Sequence, residues 1–328
     1  MNKVQIIGTG SYVPEKIVSN KELTKIVDTS DEWISSRTGI KERRISEGEN
    51  TSDLSTNAAL RAIESSKINP EDIDLLIVAT LTPDAFIPST ACIVQNNINA
   101  VNATCFDISA ACTGFIYAID IATQFIKTGR SKVALVIGAE ILSKVLNWED
   151  RSTCVLFGDG AGAAVLKSSN EDGIIACYSG SDGSKGRHLT CDAIPVRNPY
   201  VKKENMVAYD VNSSTVKMDG REIFKFAVNV MIQSIDELLK SAKLKIEDIK
   251  YIIPHQANAR IIEFTAKKMG VDGDKFYMNL DKYGNTSAAT VAIALDEVSR
   301  AGLLEKGDKI ILVGFGGGLT YGGIIIQW

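Results

Sequence analysis

Two stretches of this chain occur twice, and that repetition constrains its fold more than any other feature. Residues 59–80, ALRAIESSKINPEDIDLLIVAT, align with 237–256, ELLKSAKLKIEDIKYIIPHQ. In both, a helical pattern passes through Glu-Asp-Ile into an apolar strand, with Glu71-Asp72-Ile73 matching Glu247-Asp248-Ile249. Further on, GRSKVALVIGAE (129–140) aligns with EKGDKIILVGFGGG (305–318). The offset is about 176 residues at both places, as a duplication produces; two copies make a duplicated domain, not a solenoid. The boundary falls near 169–173, dividing the chain into halves 1–172 and 173–328. Each half alternates strand and helix, which predicts a mixed, largely parallel sheet layered by helices.

The 328 residues can bury an ample core. A net charge of −4 gives no basic surface for nucleic acid or for an anionic membrane, so neither is expected as a partner. The six cysteines (92, 105, 112, 154, 177 and 191) contain no CxxC pair and no metal-ligand spacing. Free thiols in a reducing cytoplasm are expected, and no metal or other cofactor. The first residues, MNKVQIIG, enter a strand at once with no leader pattern, and no apolar run is long enough to cross a bilayer.

In chain order, strands are predicted over Val4–Gly8, Leu75–Thr80, Ala103–Ile108 and Val133–Gly138. Helices are predicted over Lys21–Val27, Ser52–Ser66, Ser89–Ile98 and Thr113–Lys127. The last is apolar around nearly its whole circumference, so it should be central and buried. Phe157–Val165 alternates glycines but lacks the helix and acidic residue of a nucleotide fingerprint, so a close-packed turn into a strand is expected. Asp31–Arg44 places Trp33, Arg37, Arg43 and Arg44 in one polar segment. It is either a solvated loop with a Trp anchor, or a ring and cations for a nucleotide and its phosphates. Ser181–Ser214 is a long aperiodic connection, which in a compact domain points to function or mobility.

Three chemically capable residues fall at strand ends of the two halves. Cys112 follows a strand and a turn of small residues and opens the central helix, where unpaired N–H groups and the helix dipole favour thiolate. His255 directly follows a buried strand, where open α/β sheets place their sites. Asn285 follows Gly284 ahead of an Ala-rich helix, Ser287–Arg300. Taken singly, a core Cys, a satisfied core His and a helix-cap Asn are ordinary. Together, at equivalent edges of a duplicated sheet, they form a candidate nucleophile with two partners. Gly316-Gly317-Gly318 then offers bare backbone for close approach to a ligand, or a tight hairpin turn; both readings can hold.

These motifs, DISAACTGF, PHQANAR, GNTSAA and GFGGGLTYG, resemble those of the β-ketoacyl-acyl carrier protein synthase III family of the thiolase superfamily. The resemblance spans essentially 1–328. It implies a duplicated thiolase-like α/β fold, five-layered α/β/α/β/α, and a homodimer. The implied activity is decarboxylative condensation of an acyl-CoA primer with malonyl-acyl carrier protein, initiating fatty acid biosynthesis through an acyl-Cys intermediate. Cys112 would be the nucleophile and His255 and Asn285 the enolate donors, with the N–H groups of Cys112 and Gly317 as oxyanion hole. Trp33, Arg37 and Arg151 would meet the adenine and phosphates of coenzyme A, and Gly220, Phe224, Ala257 and Asn258 the rest of that ligand. Lys225, Arg260, Lys267 and Lys268 would form a basic rim for the acidic carrier protein. Ile87 stands where some members carry Phe at the primer pocket, and the 183–212 loop is longer than the family pattern. Both leave the primer open. The rivals are a related condensing enzyme for a specialised polyketide-like product and a non-catalytic acyl- or carrier-binding protein.

Overall fold

The computed structural model describes residues 2–196, 198–202 and 214–328, so much of the predicted long connection (197 and 203–213) lies outside the described residues. The first half begins with β1 (Lys3–Tyr12), β2 (Ile17–Ser19), α1 (Asn20–Leu23), α2 (Asp31–Thr38) and β3 (Glu42–Arg44). It continues with α3 (Thr51–Ser66), β4 (Leu75–Ala79), α4 (Thr90–Asn97), β5 (Thr104–Ile108), α5 (Gly114–Lys127), β6 (Val133–Glu140) and β7 (Gly160–Ser169). The second half holds β8 (Ile174–Ser181), β9 (Leu189–Cys191), β10 (Val216–Met218), α6 (Gly220–Ala242) and β11 (Tyr251–Pro254). It ends with α7 (Ala259–Met269), α8 (Leu280–Tyr283), α9 (Thr290–Arg300), β12 (Lys309–Gly316) and β13 (Thr320–Gln327).

The two large sheets have matching orders, β1-β7-β6-β4-β5 and β8-β13-β12-β11. Where the first sheet has β5, the second has only a parallel bridge between Ile252 and Phe276. The sheets are mixed rather than largely parallel. β4 runs parallel to β5 and β6, and β11 to β12, whereas β1, β7, β8 and β13 pair antiparallel. The reason is connection length: parallel neighbours need a crossover such as α4 or α5, while β12 returns as β13 through the three residues 317–319.

Helices α5 and α9 touch both sheets and form the middle layer; α3 and α4 cover the outer face of the first sheet, and α6 with α7 that of the second. The apolar residues around α5 are thereby used on all sides: Phe115, Ile116, Ile119 and Ile126 pack in one buried cluster with Val136 of β6, Leu295 of α9 and Ile324 of β13. The repeat extends to single hydrogen bonds. Asp72 accepts from the Asn69 N–H at 3.0 Å, and Asp248 from the Lys245 N–H at 2.8 Å. Ile73 and Ile249, two residues ahead of β4 and β11, are then buried alike. Among the described residues, no helix is long and apolar enough to cross a membrane.

Candidate active site

The duplication also repeats a turn. Residues Ala111–Thr113 and Ser287–Ala289 are short 3-10 turns that lead into α5 and α9. Their first residues, Ala111 and Ser287, have φ of +46° and +49°. Such conformations cost non-glycine residues on the order of 1–3 kcal/mol and cluster at functional sites. Cys112 sits in the first turn. Its backbone is braced by Thr320, whose hydroxyl lies 2.8 Å from that of Thr113 and donates to the Ala110 carbonyl at 3.2 Å. A Cβ on Gly316 would lie 2.8 Å from the Cys112 nitrogen, so the glycine loop presses directly against the nucleophile's backbone.

Ser287 joins the three candidate residues. Its turn packs against that of Cys112, and its side chain pulls the thiol pKa down. Its N–H donates to Asn285 Oδ1 at 2.9 Å, which leaves the amide NH2 as the donor end of Asn285. Its carbonyl lies 3.0 Å from Thr290 Oγ1, and that hydroxyl is 2.7 Å from His255 Nδ1. His255 leaves β11 with its N–H on the Val313 carbonyl at 2.8 Å and its ring edge-on to Phe315, centroids 5.2 Å apart. Asn285 is pinned by its backbone N–H on Leu156 O and its carbonyl on Gly158 N–H. All three are buried. Cys112, Ser287 and Gly317 reach a cavity of ≈690 Å³ with largely apolar walls such as Leu142, Phe157 and Leu189; His255 and Asn285 do not line it.

Electrostatics correct one expectation. Burial pushes the Cys112 thiol up to about 12, outweighing the Ser287 side chain that pulls it down, so the resting group is a neutral thiol rather than a thiolate. Burial pushes His255 down to about 3, so its ring is neutral near pH 7. Glu140, the last residue of β6, is fully buried and raised to about 7 by desolvation.

The remaining candidates fall into separate groups. Arg37 and Arg151 both stack on Trp33, their guanidinium carbons 4.8 and 5.1 Å from the ring. That segment is the helix α2, not a loop, capped by Ser30 and ended by Gly39 in the left-handed region. Arg43 does not join the cations there: it is fully buried, donating to Val18 O, Asn20 Oδ1 and Val155 O, and burial lowers it to about 10. Trp33, Phe224 and Ala257 rest half-buried on one core cluster, Asn258 caps α7, and Gly220 opens α6. On the rim, Lys225 pairs with Glu222 at 2.6 Å, Lys268 meets Asn229 Oδ1, Lys267 is exposed, and Arg260 donates twice to Ser36 O. Ile87 is 89% exposed and does not line the cavity of its own chain; its neighbour Phe86 does.

Sequence reasoning missed Ser287, Thr290, Phe315 and Glu140. A signal existed for Glu140 alone: a carboxylate ending the apolar strand VALVIGAE is costly to bury unless hydrogen-bonded.

Family models described as 3-oxoacyl-[acyl-carrier-protein (ACP)] synthase III and its C-terminal part match residues 106–183 and 239–328. A β-ketoacyl-[acyl-carrier-protein] synthase III of Clostridium kluyveri is 63% identical over 327 residues, covering 100% of this chain and 99% of that one. The corresponding protein of Clostridium acetobutylicum is 60% identical over 328 residues, with 100% and 99% covered. The crystal structure of 3-oxoacyl-[acyl-carrier-protein] synthase III from Aquifex aeolicus superposes with a TM-score of 0.92 at 47% identity, over 99% of this chain and 100% of that one.

Proposed function

Because the chain belongs to the β-ketoacyl-[acyl-carrier-protein] synthase III family, we propose that Cys112, His255 and Asn285 carry out its condensation of an acyl-CoA primer with malonyl-acyl carrier protein. The supporting observation is that Ser287, which shares one apolar cavity with Cys112, bonds Asn285 directly and meets His255 through the Thr290 hydroxyl. The Cys112 sulfur attacks the primer thioester as its proton leaves, and the N–H groups of Cys112 and Gly317 hold the oxyanion. Coenzyme A departs with that proton. The malonyl unit then loses CO2, and its carbonyl oxygen gains enolate charge. When the Thr290 hydroxyl turns its one proton from the Ser287 carbonyl to Nδ1, the other nitrogen of His255 carries an N–H toward that oxygen, beside the Asn285 NH2. Neutral donors suit this step, because a cation would favour the malonyl carboxylate in the ground state. The enolate carbon attacks the acyl group, and the Cys112 thiolate leaves.

Trp33, Arg37 and Arg151 form the adenine and phosphate end of the coenzyme A site, with Gly220, Phe224, Ala257 and Asn258 along the pantetheine. Lys225, Arg260, Lys267 and Lys268 receive the carrier protein. The halves divide at 1–172 and 173–328, and the enzyme works as a cytoplasmic homodimer that initiates fatty acid biosynthesis.

Acyl-CoA alone should add one acyl mass to the protein, on the Cys112 peptide, and Cys112→Ser should abolish it. Asn285→Ala should keep that labelling and lose condensation by roughly 10²–10³-fold, the effect of one oxyanion-type donor. A label on any of the other five cysteines, or condensation at the parent rate in Asn285→Ala, overturns the assignment.

A further inference from the structure

The mechanism above leaves open which group holds the Cys112 proton until coenzyme A departs with it, and one buried acid in the structure is not used by it. Glu140 is fully enclosed, and every hydrogen bond on its carboxyl comes from a donor. Thr80 Oγ1 donates at 3.2 Å, the N–H groups of Leu81 and Thr82 at 3.1 Å each, and Thr82 Oγ1 at 2.6 Å. The remaining donor is Ser287 Oγ at 3.1 Å, and Ser287 lines the same cavity as Cys112, on a turn packed against the Cys112 turn, where its side chain pulls the thiol pKa down. A serine hydroxyl has one proton and can serve only one of these neighbours at a time.

Resting on the assignment of Cys112 as nucleophile, we propose that Glu140 and Cys112 share one negative charge through Ser287, so that Glu140 takes up the proton the thiol releases. With Glu140 ionised, Ser287 O–H points to the carboxylate and its lone pair accepts the S–H. For attack, the S–H proton moves to Ser287 Oγ and the Ser287 proton moves to Glu140 Oε1. The product is a thiolate beside a neutral acid, with the total charge unchanged. When coenzyme A leaves as its thiolate, Ser287 protonates it and regains a proton from Glu140, which restores the starting carboxylate. Two anions this close in a buried site disfavour each other, and the Glu140 charge does raise Cys112. The carboxyl, raised to about 7, is poised to exchange a proton near neutrality. Glu140 touches no substrate; it is a positioning residue acting through Ser287.

Other titratable groups surround the pair. Lys144, on the turn after β6, and Cys191, on β9, feel the Glu140 charge; Asp84 and Asp159 lie near Lys144, and His255 stands behind Thr290. None of these is hydrogen-bonded to the Glu140 carboxyl, so the Ser287 route is the direct one.

The test is the pH dependence of Cys112 alkylation by iodoacetamide, read on the Cys112 peptide by mass in the full-length protein. Interconversion of the two charge-sharing forms does not change the net proton count. In the parent, alkylation should therefore rise to about pH 7 and then level for at least about one pH unit before rising again. Glu140→Gln should climb about tenfold per pH unit through the same range, with no level. Ser287→Ala keeps four donors on the carboxyl and should lower the level by roughly tenfold to a hundredfold, the worth of a hydrogen bond to a charged group. Thr80→Val keeps the relay and should retain the level with its onset moved to higher pH. A level of undiminished height in Ser287→Ala, or one that Thr80→Val lowers equally, overturns the relay. If Glu140→Gln does not fold, the serine and threonine variants decide. Acyl-CoA labelling of the same proteins keeps the two readings apart: no label on Cys112 of the parent would remove the nucleophile itself, while a labelled Cys112 with no level would remove only Glu140.

Discussion

His255 shows at the residue scale how burial and chemistry are bound together. Its ring is enclosed, edge-on to Phe315, and held by the Thr290 hydroxyl, and that enclosure keeps it neutral. A neutral ring can donate to a forming enolate, but its burial makes folding acid-sensitive. The folded pKa, about 3, lies below the ordinary His value of 6.5. Below pH 6.5 the unfolded chain therefore binds a proton that the folded protein does not. The His255 contribution is fully present above pH 6.5 and is lost as pH falls toward 3, at up to about 1.4 kcal/mol per unit. Glu140, raised from 4.5 to about 7, has the opposite sign and loses stability as pH rises through that window. Comparison of urea midpoints for parent and His255→Asn isolates the histidine. The parent should lose stability relative to the variant as pH drops from 6.5 to 4.5; a constant gap would mean that the ring is protonated in the fold.

At the scale of elements, α2 is held by the helix that was expected to dock the carrier protein. The last carbonyls of a helix need donors, and α2 obtains them from α7. Arg260 gives Nε and Nη2 to Ser36 O at 3.1 and 2.7 Å, and Asn258 gives Nδ2 to Arg37 O at 3.1 Å. Arg260 is thus part of the support for Trp33 and Arg37 as well as a rim cation. Arg260→Ala should therefore raise KM for acyl-CoA and for malonyl-carrier protein together. Lys225→Glu with Lys267→Glu should raise KM only for the carrier protein, by an amount that shrinks with added salt, because exposed charges act mainly on association and are screened beyond about 8 Å at physiological ionic strength. Initial rates with each substrate varied separately would show this. Equal losses in the lysine pair variant would mean that the patch supports the fold instead of the partner.

For the whole molecule, the exposed apolar loop at Phe86 and Ile87, 80% and 89% accessible, is the feature least suited to a lone chain. Phe86 lines the cavity of its own chain, and Ile87 turns outward. A two-fold dimer would exchange the same patch between copies. The parent should sediment as a dimer, and Ile87→Asp should shift it toward monomer with lower condensation activity. A parent that sediments as a monomer with full activity would sink the dimer.

The duplication, the nucleophile turn and the strand end bearing His255 were legible in the sequence, because each is written in local pattern; Asn285 instead follows the short helix α8 and meets Phe157 through an isolated bridge. A 176-residue offset, apolar strands and a helix apolar on all sides need no knowledge of what lies opposite. That antiparallel pairs would outnumber parallel ones in the large sheets was not legible, since it depends on whether a connection crosses over or turns back. Nor was the neutral state of Cys112. Its position at a helix start spoke for thiolate, but burial reverses this, and the other half contributes to it where Gly316 packs on the Cys112 backbone. Arg43 was read as a surface cation for the same reason: Val155, which accepts its proton, lies 112 residues away. Sequence determined which groups exist and the elements that carry them. Only the packing of one half on the other decided which are desolvated, and desolvation sets both their charge and their hydrogen-bond partners.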